Sequence, residues 1–149
     1  HYVAARLPKL MVDPILIEQV LLNLLKNAAE AIDNAHLPPA RRHIELRVVP
    51  RHTPEEGGVI EFSVTDHGPG VKPEVLARLY EAFFSTKPDG LGIGLSLCRS
   101  IIESHRGRIR TENLYNGDVA IGCRFAFTLP VESAGPPAEA PASTVTENA

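Results

Sequence analysis

Gln19, Asn23, Asn27, Glu30 and Asn34 recur at spacings of four, four, three and four residues, which puts them on one face of a helix. Val20, Leu21, Leu22, Leu24, Leu25 and Ala28 surround them and would otherwise make that helix apolar nearly all round. A carboxamide buried without partners costs roughly 1–3 kcal/mol, so a row of them expects something polar opposite. Mg²⁺ takes hard oxygen ligands, keeps several waters and bridges a protein oxygen to nucleotide phosphates. An Asn carbonyl oxygen suits that role. The alternative is that these amides bond loop backbone, and this helix by itself favours that alternative.

A second group, Asp66-His67-Gly68-Pro69-Gly70, follows a strand directly. A carboxylate at a strand end can accept a hydrogen bond from the exocyclic amine of a base, and the glycines let backbone approach a ligand closely. The alternative is an ordinary Asp-Gly turn. A third, Gly90-Leu91-Gly92-Ile93-Gly94-Leu95, opens a helix. Its glycines expose backbone N–H groups at the positive helix end, a place for phosphate. The spacing is not the dinucleotide GxGxxG, and the Lys-Ser/Thr of a P-loop is missing. Between them, Phe83-Phe84-Ser85-Thr86-Lys87-Pro88-Asp89 reads as a lid whose aromatics pin it while hydroxyls and an ammonium reach inward. A surface loop with two core Phe is the bland counterpart.

The elements that must position these groups follow from capping and periodicity. Asp13-Pro14 is an N-cap followed by Pro at the first helical position, opening a helix to about residue 34. Residues 10–12 form a brief edge strand in this reading. Residues 43–49 and 59–65 alternate as strands, joined by the turn Pro54-Glu55-Glu56-Gly57-Gly58. Residues 73–80 form a short amphipathic helix, 81–91 are irregular, and 92–105 form a helix stopped by Gly107. Residues 108–112 and 123–129 are the closing strands. Helix, strand, strand, helix, helix, strand, strand is not doubly wound. It suits an α/β (α+β) two-layer sandwich: a mixed, mostly antiparallel sheet with helices on one face.

Residues 1–12 are then a remnant of an upstream region, 13–130 one domain, and 131–149 an Ala/Pro-rich tail expected to be disordered. The charge of −3 has its origin in that tail, where Glu132, Glu139 and Glu147 face no Lys or Arg. Nothing basic is left over to draw nucleic acid or anionic lipid. Cys98 and Cys123 lie in apolar segments and read as reduced core thiols. The apolar run at 15–32 carries Glu18, Asn23, Lys26, Asn27 and Glu30, a load no lipid-facing helix would bear. No membrane insertion by this chain and a cytoplasmic location are expected, with a membrane anchor in a longer parent left open.

In conjunction and in this order, the motifs resemble the catalytic, ATP-binding domain of sensor histidine kinases, in the superfamily shared with gyrase B, Hsp90 and MutL. Gln19-Val20-Leu21-Leu22-Asn23-Leu24-Leu25-Lys26-Asn27-Ala28 looks like the N box, Asp66-His67-Gly68-Pro69-Gly70 the G1 box, Phe83-Phe84 the F box, and Gly90-Leu91-Gly92-Ile93-Gly94-Leu95 the G2 box. Gly122-Cys123-Arg124-Phe125 and Thr128-Leu129-Pro130 look like the closing strand. The short lid is most similar to kinases with PAS-type sensors. The resemblance implies a Bergerat-type fold with ATP between helices and lid. It implies that Asn27 ligates Mg²⁺, Asp66 binds the adenine amine, and Asn23 supports the phosphate and metal region. Gly68 and Gly70 shape the base pocket, while Thr86, Lys87, Gly90, Gly92, Gly94 and Leu95 lie near the phosphates. Asn23, Asn27 and Lys87 are the expected catalytic positions.

Two departures bear on activity. ATP-hydrolysing relatives carry Glu four residues before the metal-binding Asn, where this chain has Asn23, and an amide is no base near neutral pH. Transfer of the γ-phosphate is therefore expected over hydrolysis. None of the six histidines, His1, His36, His43, His52, His67 and His105, stands in a phosphoacceptor context. The acceptor is expected on a separate dimerisation domain, with a response regulator downstream and this domain by itself monomeric. His67 is expected to be solvent-exposed loop filler, and His105 to complement a helix dipole. Arg106 stands where many relatives carry Gly, which predicts a less tightly turned helix end. An ATPase of the same fold and a nucleotide-binding regulatory module without transfer are the rival readings.

Overall fold

Asp13 and Pro14 open the first helix as their types dictate. The computed structural model describes residues 2–3, 11–81 and 94–131. Asp13 is extended, and its Oδ1 accepts the N–H groups of Ile15 and Leu16 at 3.0 and 3.3 Å. Two of the orphan donors at the start of α1 (Pro14–Ala35) are thereby satisfied. Every third or fourth residue of α1 is apolar, and Ile17, Val20, Leu24, Ala28 and Ile32 are buried. The chain turns at His36, which holds a left-handed conformation at φ 52°.

Two hairpins build the sheet. β2 (Ile44–Thr53) pairs antiparallel with β3 (Gly57–Asp66), and β4 (Arg108–Asn116) with β5 (Val119–Pro130). β3 and β5 join the hairpins antiparallel, with Asp66 opposite Cys123 and Phe62 opposite Phe127. The strand order is β1-β2-β3-β5-β4, where β1 (Tyr2–Val3) lies parallel on the edge at β2. The edge strand is Tyr2–Val3; of residues 10–12 expected there, Met11 and Val12 are in no strand and Leu10 lies outside the described residues. α2 (Pro73–Leu76) is shorter than expected and passes into turns through Tyr80. α3 (Gly94–Ser104) follows.

Alternation sorts each strand into two faces. Ile44 and Leu46, Phe62 and Val64, Phe125, Phe127 and Leu129, and Ile109 pack with Val20, Leu24, Ala28, Cys98 and Ile102 of the helices. Phe62 and Phe127 stack with centroids 4.8 Å apart at the middle of this layer. The opposite face carries a charge ladder. Glu61, 6% exposed, takes the Nε of Arg51 on one oxygen and the Arg110 guanidinium on the other at 2.9 Å. Burial pushes the Glu61 carboxyl up, but the two guanidinium groups outweigh it and hold it below its usual range. The result is the expected sandwich, with α1 and α3 packed on one face of the sheet. Among the described residues no helix is long and apolar enough to cross a membrane. The tail at 132–149 lies outside the described residues, while the N–H of Val131 still reaches the Gly58 carbonyl at 3.1 Å.

The end of α3 corrects one expectation. Gly107 N–H donates to Ile102 O and Arg106 N–H to Glu103 O, both at 2.9 Å, which is the closed pair of bonds of a Schellman turn. Arg106 supplies the left-handed residue at φ 64°, so the turn is tight although glycine is missing there. Gly107 matters for room instead: a Cβ would fall on the Thr128 carbonyl oxygen. A non-glycine residue in this conformation costs roughly 1–2 kcal/mol, part of which glycine returns as chain entropy on unfolding. Arg106→Gly should therefore raise stability by about 0.5–1 kcal/mol. Urea denaturation checks this, and an unchanged or lower midpoint contradicts it.

Candidate functional site

The strand parity that points Phe62 and Val64 at the helices also points Asp66 there, at the last position of β3. Asp66 is 3% exposed. Its Oδ1 accepts the Gly68 N–H at 2.9 Å, so the strand ends in an Asx-type turn that orients the carboxylate. Burial pushes its carboxyl above the ordinary range; the N–H groups of Gly68 and Cys123 and the neighbouring His67 act the other way without cancelling it. A carboxylate has about four acceptor positions, and these backbone donors leave capacity for an amine.

Glycines keep this corner open. A Cβ on Gly68 would lie 3.1 Å from Asp66 Oδ1, and one on Gly122 would fall on the Asp66 carbonyl oxygen. Gly70 has φ 80°, and a Cβ there would meet Asn113 Oδ1 at 2.8 Å and the Ala120 methyl at 3.0 Å. Asn113 holds the next residue by both backbone groups, accepting Val71 N–H at 2.8 Å and donating to Val71 O at 2.6 Å. Tyr80 is fixed to Thr111 of β4 through its hydroxyl, and burial pushes that hydroxyl up to about 12. Asn113 and Thr111 are positioning residues that the motifs did not include, whereas Gly122 belongs to the closing-strand motif.

On the helix side, Asn23, Asn27 and Glu30 are half-buried, whereas Gln19 and Asn34 at the ends of the row are exposed. The row therefore narrows to its middle. Asn27 Nδ2 donates to Asn23 Oδ1 at 3.4 Å. A Cβ on Gly94 would stand 2.9 Å from Asn23 Nδ2 and 3.2 Å from its Oδ1. The first residue of α3 thus lies against the carboxamide row of α1, where a side chain would crowd the Asn23 amide. Leu95 is half-buried and packs on the core cluster, anchoring the start of α3. Phe83, Phe84, Thr86, Lys87, Gly90 and Gly92 lie outside the described residues.

His67 is not the exposed filler expected: it is half-buried, with its ring centroid 4.4 Å from that of His43, and its carbonyl accepts Arg41 Nη2 at 2.7 Å. Cys98 and Cys123 are free and buried, and burial pushes their thiols up to about 11 and about 12. They stay protonated and inert at neutral pH. The donor set suits an adenine nucleotide with a hard cation: a buried carboxylate able to take an amine, side-chain amide oxygens, and glycine-lined backbone.

An open, chiefly antiparallel sheet with α1 and α3 on one face is the α/β sandwich of histidine kinase catalytic domains. Residues 12–133 match the family described as histidine kinase-, DNA gyrase B-, and HSP90-like ATPase, and the chain belongs to that family. It is 38% identical to the C4-dicarboxylate transport sensor protein DctS of Rhodobacter capsulatus, over 91% of this chain and 19% of that protein. It is 41% identical to the sensor protein FixL of Bradyrhizobium diazoefficiens, over 80% of this chain and 21% of that one. The chain thus spans about a fifth of the length of these curated relatives. Among solved structures it is similar to the nucleotide-free catalytic domain of histidine kinase ThkA, with TM-score 0.64 and 31% identity over 87% of this chain and 76% of that one. It is also similar to full-length ShkA in complex with AMPPNP, with TM-score 0.63 and 28% identity over 92% of this chain and 26% of ShkA.

Proposed function

We propose that the chain binds Mg-ATP between α1, α3 and the end of β3, as the cytoplasmic catalytic domain of a two-component sensor histidine kinase. It would pass the γ-phosphoryl to a histidine on a separate dimerisation domain, with a response regulator receiving it afterwards. The observation that carries this reading is the convergence of Gly94 on Asn23, beside Asn27, in the helix layer toward which the buried Asp66 points. ShkA, which this chain resembles, is held with AMPPNP, an ATP analogue. In this reading residues 13–130 are the domain proper and residues 1–12 belong to the region upstream of it.

Asp66 takes the adenine amine, and Gly68 and Gly70 leave room for the ring. Asn27 supplies a carbonyl oxygen to Mg²⁺, whose chemistry when bound is to neutralise charge on the β- and γ-phosphates. Asn23 orients Asn27 through their shared hydrogen bond. Gly94 would offer its backbone N–H to phosphate at the start of the helix that Leu95 anchors, and Thr86, Lys87, Gly90 and Gly92, which lie outside the described residues, are assigned to the phosphates by the resemblance alone. The acceptor imidazole nitrogen bonds to the γ-phosphorus as ADP leaves. The domain's own part is positioning and charge stabilisation. No carboxylate stands at position 23 to activate water, which favours transfer over hydrolysis.

Calorimetry with AMPPNP and Mg²⁺, followed by phosphoryl transfer from ATP to an added dimerisation domain of a matched kinase, tests the proposal. Saturable binding and label on the acceptor histidine are expected. Binding without labelling makes the chain a regulatory module, and steady ATP turnover with no acceptor present makes it an ATPase.

A further inference from the structure

The backbone N–H of Asp13, where the chain enters α1, donates to Nε2 of His105 at 3.1 Å across 92 positions of sequence. On its other side the same ring approaches the Ile101 carbonyl oxygen through Nδ1 at 2.8 Å. A carbonyl oxygen can only accept and a backbone N–H can only donate. The two contacts together therefore define one form of the ring, the neutral Nδ1–H tautomer. The Ser104 hydroxyl, 3.3 Å from Nδ1, donates to the same Ile101 oxygen at 2.7 Å. An imidazolium would set a second N–H against the Asp13 N–H, whereas the Nδ1–H of the neutral ring meets the Ile101 carbonyl in the last turn of α3, in keeping with the dipole role expected of His105.

Asp13 is also the N-cap of α1, and His105 follows directly on the last residue of α3. The start of one helix is thus bonded to the end of the other. The helices run antiparallel, and about 15 Å along them, ten residues at the helical rise, Gly94 meets Asn23. A slip of α3 along α1 would change both contacts together. The approach there is close: a Cβ on Gly94 would stand 2.9 Å from the Asn23 amide nitrogen.

We propose that His105 is a positioning residue: as its neutral Nδ1–H tautomer it latches the start of α1 to the end of α3, and so sets how closely Gly94 approaches Asn23. The link to nucleotide binding rests on the function proposed above, whereas the latch itself does not. Gln can place an oxygen where Nε2 stands and accept the Asp13 N–H. Asn reaches only the Nδ1 position and leaves Asp13 without that acceptor.

The test is NMR and calorimetry on the whole 149-residue chain, comparing His105→Gln with His105→Asn. Imidazole ¹H–¹⁵N spectra of the wild type at neutral pH should show the proton on Nδ1. Asp13 amide exchange should be about tenfold faster in His105→Asn and close to wild type in His105→Gln. AMPPNP with Mg²⁺ should bind about fivefold more weakly to His105→Asn, with Gln restoring most of the loss. A proton on Nε2, or equal Asp13 exchange in all three proteins, overturns the latch. Faster exchange with unchanged nucleotide affinity overturns its coupling to the site. A wild type that binds no nucleotide defeats the functional reading, while the tautomer and exchange data still decide the latch.

Discussion

Asp66→Asn should bind adenine nucleotides about 100-fold more weakly and yet melt at a higher temperature than the wild type. The two effects share a cause. Asp66 is buried among apolar and backbone groups, and burial pushes its carboxyl upward against the N–H groups that would hold it down. An ionised carboxylate there is a net cost to the empty protein and a resource once an amine arrives. Asn keeps an oxygen for the Gly68 N–H but replaces the remaining acceptor with an NH₂ group. Donor then faces donor where the adenine amine would sit, and an unpaired buried polar group carries a penalty of several kcal/mol at most and roughly 1–3 typically.

The pH dependence has a definite sign. The folded protein holds the Asp66 proton more tightly than the unfolded chain, so this residue is harmless below the ordinary carboxylate value of 3.8. Its cost grows as pH rises through the raised folded value and then levels off. Wild type and Asp66→Asn should accordingly converge in stability at acid pH. Near neutral pH the variant should melt at the higher temperature of the two. Thermal melts across pH with no nucleotide present measure this. A variant less stable than wild type at pH 7 would mean that the carboxylate serves the fold rather than a ligand.

Such trade-offs explain which parts were legible in the sequence. Where local rules and the fold agree, the reading held: Asp13-Pro14 starts α1 in the expected way, and the alternation of β2 and β3 follows the buried face. The elements that escaped depend on distant partners. The closing strands run to Asn116 and from Val119, beyond the alternating stretch, because their far ends stand past the helix layer and neither face there is buried. The two-residue turn Gly117-Asp118 closes that hairpin, with Gly117 at φ 64°, and was a usable signal. Asn113 had none, since its partner Val71 lies 42 positions away. Residues 10–12 have strand composition, but a parallel edge is decided by where β2 is accessible, and Tyr2–Val3 occupies it. Arg106 reads locally as a poor helix terminator. The two Schellman bonds and the closeness of Gly107 to β5 impose the left-handed turn on it regardless.

The amide row shows the same division between what spacing can say and what only packing can. Five polar residues share a face by periodicity, but burial selects Asn23, Asn27 and Glu30 from it, and Gly94 selects Asn23 as the contact to α3. Asn27, one turn on, donates its amide N–H to Asn23 Oδ1, and an amide carbonyl oxygen is the kind of ligand a hard cation takes. Asn27→Ala should lower phosphoryl transfer to an added acceptor domain by about 10³-fold, roughly 4 kcal/mol of barrier. Nucleotide affinity in EDTA should change little, because the adenine contact at Asp66 is untouched, whereas the gain on adding Mg²⁺ should vanish. Asn27→Asp retains an oxygen ligand and should recover part of the magnesium response. Calorimetry with and without Mg²⁺ separates these outcomes from a folding defect, which would weaken binding equally in both buffers. If Asn27→Ala keeps the full magnesium response, the cation is held elsewhere and the role assigned to this face of α1 is wrong.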